Sequence, residues 1–192
     1  YYFNGEKSIE ETAAAIRNKI DEMPNAKNAQ PDMDVIINIG DFSVSLYEGE
    51  QEILGKLDEM GLLYEKVEDS DNKKYNYYYY NVGDGEAQFI QVYFLEKECV
   101  RIRISSNETF AHTSRGIYSG NSYSQMVDQY GDSYEKHTYM GKERYTIYRY
   151  ALGECFHEFG IPGEATGEIY NVDVYVSGQM PIYDYGEEIV ED

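Results

Sequence analysis

The chain has 192 residues, enough for one domain or two small ones with a real core, and carries 36 acidic against 16 basic side chains, a formal charge of −20. That imbalance excludes binding driven by phosphate neutralisation, so nucleic acid and anionic membrane surfaces are not its partners. Disorder is excluded as well, because 22 Tyr and 7 Phe, with Val and Ile in short runs between turn residues, can bury a core.

Residues 8–23, "SIEETAAAIRNKIDEM", predict the first helix. Ser8 and Glu11 form a capping box, and Ile9, Ala13, Ile16, Ile20 and Met23 recur at three- and four-residue steps as one apolar stripe. Pro24 ends it, and "NAKNAQPDMD" reads as a polar linker. Extended chain follows over 34–47, broken at Gly40-Asp41. A second helix is predicted over 50–60, with Ile53, Leu57 and Met60 inward and Gly61 at its C-terminal cap. Strands are predicted over 62–68, 73–82, 87–95 and 98–106, joined by turns at "DSDN", "GDG" and "EKE". The order then recurs: a helix over 122–130 stopped by Gly131, and strands over 133–140, 143–152, 154–160 and 168–177. The acidic tail from Gly178 is expected to be peripheral.

The recurrence holds in register. At an offset of about seventy residues, Ile53, Leu57, Met60 and Gly61 meet Tyr123, Val127, Tyr130 and Gly131, and "YNYYYYNVGD" meets "YTIYRYALGE". Further on, Val100, Ile102 and Ile104 meet Val172, Val174 and Val176. The expected class is α+β: a tandem repeat of a short helical element and a four-stranded antiparallel meander, with the helices packed on one face of the sheet. The expected segments are an N-terminal helix and linker (1–33), a first repeat (34–111), a second repeat (112–178) and an acidic tail (179–192). The other face of the sheet is left to a partner or to water.

Period two assigns that face. Arg101 and Arg103 point away from Val100, Ile102 and Ile104, and Asp173 and Tyr175 point away from the valines of their strand. In "YNYYYYNV" the outward pair is either Tyr77 and Tyr79 or Tyr78 and Tyr80. Tyrosine presents a large apolar area, few torsions to order and a hydroxyl that tolerates water, so a tyrosine-rich face suits recognition. The same residues are also good strand formers that pair across a sheet. The candidate binding residues are Tyr77, Tyr79, Arg101, Arg103, Tyr148, Tyr150 and Tyr175.

"TSRGIYSGNSYSQMVDQYGD" (113–132) resembles the repeat opening of the β-lactamase-inhibitor-protein-like fold, which includes the small-protein-A group of outer-membrane assembly lipoproteins. Gly116, Ile117, Gly120, Ser122, Met126 or Val127, Tyr130 and Gly131 carry the likeness. The motif is common in exported proteins and lipoproteins of Gram-positive gut bacteria. The likeness covers 113–177 well, 41–106 weakly and the first 33 residues not at all; the first copy has Glu50 at the Ser/Thr position. It implies helical elements on a curved antiparallel sheet, repeated in tandem, with binding through the concave face. It also implies an extracytoplasmic setting, secreted or lipid-anchored, with the leader removed. It implies no particular target.

Chemistry is sparse. "CFHEF" places Cys155 and His157 on one face of a strand, with no oxyanion-hole signature or orienting third residue to complete a nucleophile. His112 and His137 are the other two histidines, and Cys99 and Cys155, far apart and in no CxxC or metal spacing, allow one disulfide but fit two unpaired strand thiols better. "DSDNKKYNYYYY" lacks the glycine and the final glutamate of a calcium loop. No apolar run approaches the roughly 18 residues of a membrane-spanning helix. The expectation is a non-catalytic, cofactor-free module that binds a protein or peptide. A cell-envelope glycan is the second reading and a Cys/His enzyme the third.

Overall fold

Gly40, at φ +55°, reverses the chain between β1 (Ile36–Ile39) and β2 (Phe42–Ser45), a conformation that costs little only without a side-chain carbon. The computed structural model describes residues 30–68, 75–81, 88–105, 110–163, 167–179 and 187–189. The predicted helix over 8–23 and the turns at "DSDN" and "GDG" lie outside these residues. The supposed linker contains a one-turn helix, α1 (Pro31–Asp34), with proline at the position where a missing amide costs least.

α2 (Glu50–Glu59) buries Ile53 and Leu57, and α3 (Tyr123–Tyr130) buries Met126 and Tyr130. α3 begins with a capping box in which Ser122 and Gln125 bond reciprocally, whereas α2 begins at Gly49 with no side-chain cap. The strands are β3 (Tyr64–Glu68), β4 (Tyr75–Asn81), β5 (Phe89–Leu95), β6 (Glu98–Ser105), β7 (Ala111–Thr113), β8 (Glu135–Met140), β9 (Arg144–Leu152), β10 (Cys155–Pro162), β11 (Asn171–Val176) and β12 (Glu187–Ile189). Glu96 and Lys97, both at positive φ, form the two-residue turn from β5 to β6. A bulge between Tyr93 and Phe94 lets Cys99 and Val100 both face the core.

Among the described residues all strand pairings are antiparallel, and they form two sheets: nine strands in the order β12-β8-β9-β10-β11-β6-β5-β4-β3, and three in the order β2-β1-β7. The expected α+β class, with helices covering one face of a sheet, is therefore corrected: the chain is mostly β. The segment expected to be extended over 34–47 forms β1 and β2, which pair with each other and, through β1, with β7 in a sheet of their own. With helices of only ten and eight residues, this second sheet adds Ile37, Ile39, Val44, Leu46 and Ala111 to the same core as Ile90, Ile102, Val174 and Phe159 of the large sheet. The tail is not wholly peripheral, since β12 adds a strand to β8.

The expectation of an uncovered second face also fails over β10 and β11. There β11 is buried at every position and β10 at all but Pro162, so both faces are shielded. Over β4 to β6 the second face is partly exposed.

Candidate binding face

On the nine-stranded sheet, Tyr78, Tyr80, Ile90, Val92, Ile102, Val174, His157 and Tyr150 look into the core, and the alternate residues form the second face. The register aligns a charged row across it: Glu135 opposite Arg149, then Glu158, Asp173 and Arg103, continued by Gln91, Tyr79 and Glu65. Glu158 Oε1 accepts from Arg149 Nε at 2.6 Å and from the Tyr175 hydroxyl at 2.7 Å, and Arg149 Nη1 reaches Glu135 at 3.2 Å. Asp173, 0 % exposed, accepts from Arg101 Nε and Nη2 at 2.8 and 2.6 Å and from Asn171 Nδ2 at 2.8 Å. The buried carboxylates Glu158 and Asp173 are both paired, as buried charge requires. Burial alone would pull the Arg149 guanidinium down, but Glu158 beside it raises it above its ordinary value.

A parallel row carries the aromatics: Ala151, Phe156, Tyr175, Arg101, Tyr93 and Tyr77 stand opposite one another in turn. Tyr77 stacks on Tyr93 with centroids 4.8 Å apart, and the Arg101 guanidinium lies 4.5 Å from the other ring partner, Tyr93. Tyr79 stacks on Phe89 at 5.3 Å, and Arg103 lies 5.9 Å from the Phe89 ring. These residues are partly exposed, whereas Phe156 and Tyr175, stacked at 5.6 Å, are buried.

Five of the expected residues thus share the second face: Tyr77, Tyr79, Arg101, Arg103 and Tyr175. Tyr148 and Tyr150 do not. Both are buried on the core side, where Tyr150 donates to the Gly131 carbonyl and Tyr148 packs between Tyr123 and Tyr134. Their correction has a simple cause: β9 has buried residues on both faces, so a run of tyrosine and isoleucine does not reveal its own phase. Ile147, matched above with Tyr77, lies with Tyr77 on the second face.

Cys155 and His157 do share a face, but it is the core face, and they form no activated pair. Burial pushes the Cys155 thiol up to about 12 and pushes the His157 ring down to about 4. His157 Nε2 donates to the Asp34 carbonyl at 2.6 Å, which places Nδ1 against the Tyr130 hydroxyl at 2.8 Å; that hydroxyl also reaches Thr113 Oγ1 at 2.9 Å. Asp34 is held by Arg115 through two bonds of 2.8 Å and by the Gln30 amide at 2.7 Å. Burial would raise the Asp34 carboxyl, but Arg115 and Gln30 hold it below its ordinary value. This cluster ties α1, β7 and the start of the "TSRGIY" loop to β10. Sequence inspection misses it because its members lie 81 and 123 residues apart.

His112 Nδ1 lies 2.8 Å from the Thr113 carbonyl, and His137 Nδ1 lies 2.7 Å from Glu188 of β12. Both cysteines are buried, unpaired thiols. Among the described residues no group of His, Cys, Asp or Glu is arranged to hold a metal ion, and no helix is long and apolar enough to cross a membrane.

No protein-family model and no curated protein matches the chain. Among solved structures it is similar to an extracellular protein containing a SCP domain from Bacillus anthracis, at 13% identity and a TM-score of 0.45, over 81% of this chain and 48% of that one. The chain thus spans about half the length of that structure. The β-lactamase-inhibitor-protein-like family is not among these findings.

Proposed function

We infer that the protein is a non-catalytic, extracytoplasmic binding module that engages a protein or peptide through the second face over β4 to β6. The observation that supports it is the Tyr77–Tyr93–Arg101 stack beside Tyr79–Phe89–Arg103, partly exposed while the same face is buried further along the sheet. Tyrosine and arginine supply much of the energy at protein interfaces, and rings already held by stacking lose little freedom on binding. The extracytoplasmic setting rests on the "GIYSGNS" motif and is tested by determining the N-terminus of the natural protein, expected to follow a cleaved leader.

The binding test compares the wild-type chain with a Tyr79→Ala, Arg103→Ala double variant of unchanged far-ultraviolet circular dichroism. A partner cross-linked from envelope extracts and re-tested in purified form should bind the variant at least tenfold more weakly, on the order expected for losing one or two anchors. Equal binding overturns the assignment of the face. Loss of glycan-array binding in the variant, with no polypeptide partner, replaces the reading by a glycan-binding one.

A further inference from the structure

The two ends of the large sheet are treated differently. At one end β8, the first strand of a four-strand antiparallel run, is covered by β12, with Glu187, Glu188 and Ile189 opposite Met140, Tyr139 and Thr138. At the other end β3 also opens a four-strand run leading inward, and among the described residues no strand lies beyond it. An uncovered edge presents a row of backbone donors and acceptors to any extended chain of suitable side chains.

The chemistry of each edge indicates what it takes. β12 is acidic and meets a cation-bearing strand: Glu188 Oε1 lies 2.7 Å from His137 Nδ1, next to Lys136 and with Arg149 behind. β3 (YEKVE) is more acidic than β8, with two glutamates to one lysine. Glu65 is exposed, as are Asp58 and Glu59 just upstream, and they outnumber the one exposed cation of the strand, Lys66, whose ammonium lies 5.8 Å from the Tyr78 ring. Leu63, 88 % exposed, and Tyr64, 46 % exposed, add apolar surface at the mouth of the same edge. The formal charge of −20 repels a second copy or any acidic strand and attracts a basic one.

We propose that β3 is a docking edge that takes an extended basic segment of a partner polypeptide as a tenth strand, its lysine or arginine side chains on the side of Glu65 and its alternate, apolar ones on the side of Tyr64. Glu65 stands opposite Tyr79 at the margin of the second face, but the contacts that define this site are the backbone groups of the β3 edge, which a partner on the face does not use.

The test uses fluorescent ten-residue probes of alternating Lys and Val, alternating Glu and Val, and the Lys/Val probe with every second amide N-methylated, read by anisotropy on the intact chain. The Lys/Val probe should bind, weaken as salt rises, and lose at least tenfold in affinity on N-methylation. It should lose at least tenfold again on a Glu65→Lys chain that melts like wild type. The proposal is overturned by no binding, by N-methylated and unmodified probes binding alike, by Glu65→Lys leaving affinity unchanged, or by light scattering that shows a dimer occupying the edge.

Discussion

Ile102 of β6 and Val174 of β11 stand directly opposite each other where the two four-strand runs of the large sheet meet. Each is buried, in the same core cluster as α2, α3 and the three-stranded sheet. Ile102→Ala should therefore cost roughly 2 to 5 kcal/mol, and Ile102→Val about 1 kcal/mol, because the seam cannot close over a cavity without moving both runs. Urea unfolding with unchanged slope checks both values.

The buried His157 predicts a pH dependence. Its folded-state value of about 4 lies below the ordinary 6.5, so on acidification the unfolded chain takes up a proton before the folded one does. Stability should hold above pH 6.5 and fall between pH 6.5 and about 4, by about 3 kcal/mol in total. The titratable and charged groups facing the ring are Asp34, Arg115 and Tyr130. Asp34, also held below its ordinary value, adds loss of the same sign at lower pH. Denaturation of His157→Gln across this range should lack the first of these slopes.

Arg149 lies between Glu158 and Glu135, and Glu158 is buried. Arg149→Met leaves a buried carboxylate without its cation and should cost about 3 to 5 kcal/mol, whereas Arg149→Met with Glu158→Gln should recover part of that loss. A double-mutant cycle by thermal or chemical unfolding measures the coupling.

The two helix starts differ by a cap, and each can be changed. Ser122→Ala removes a reciprocal cap and should cost about 1 kcal/mol. Gly49 sits at φ −69° with nothing within 4 Å of an added side-chain carbon, so Gly49→Ser should stabilise by about 0.5 to 1 kcal/mol. Opposite shifts in melting temperature are the expected result.

Both thiols should resist labelling in the folded chain. Cys155 is buried and its thiol is pushed up to about 12, and Cys99 is pushed up further by burial. Reaction with an aromatic disulfide at pH 8 should be slower than for an exposed cysteine by a factor on the order of a hundred or more, and become rapid in denaturant.

What the amino-acid order determined by itself is local. Strand and helix segments are written in periodicity, as in Val100-Ile102-Ile104 against Arg101 and Arg103, and in stop signals such as Gly131, because these depend on neighbours two to four residues away. The second face emerged the same way at Tyr175, Arg101 and Arg103. Only the tertiary structure decided the rest. β1, β2 and β7 form a sheet because Ile37 and Ile39 meet Thr113 and Ala111 although α2 and β3 to β6 lie between them in the chain, which no local pattern announces. Tyr148 and Tyr150 turned inward because β9 is buried on both sides, and alternation carries information only where one side is wet. The ion pairs of Asp34, Glu158 and Asp173 were likewise hidden in sequence, since a buried charge is stabilised by whichever partner the fold delivers to it, however distant in the chain.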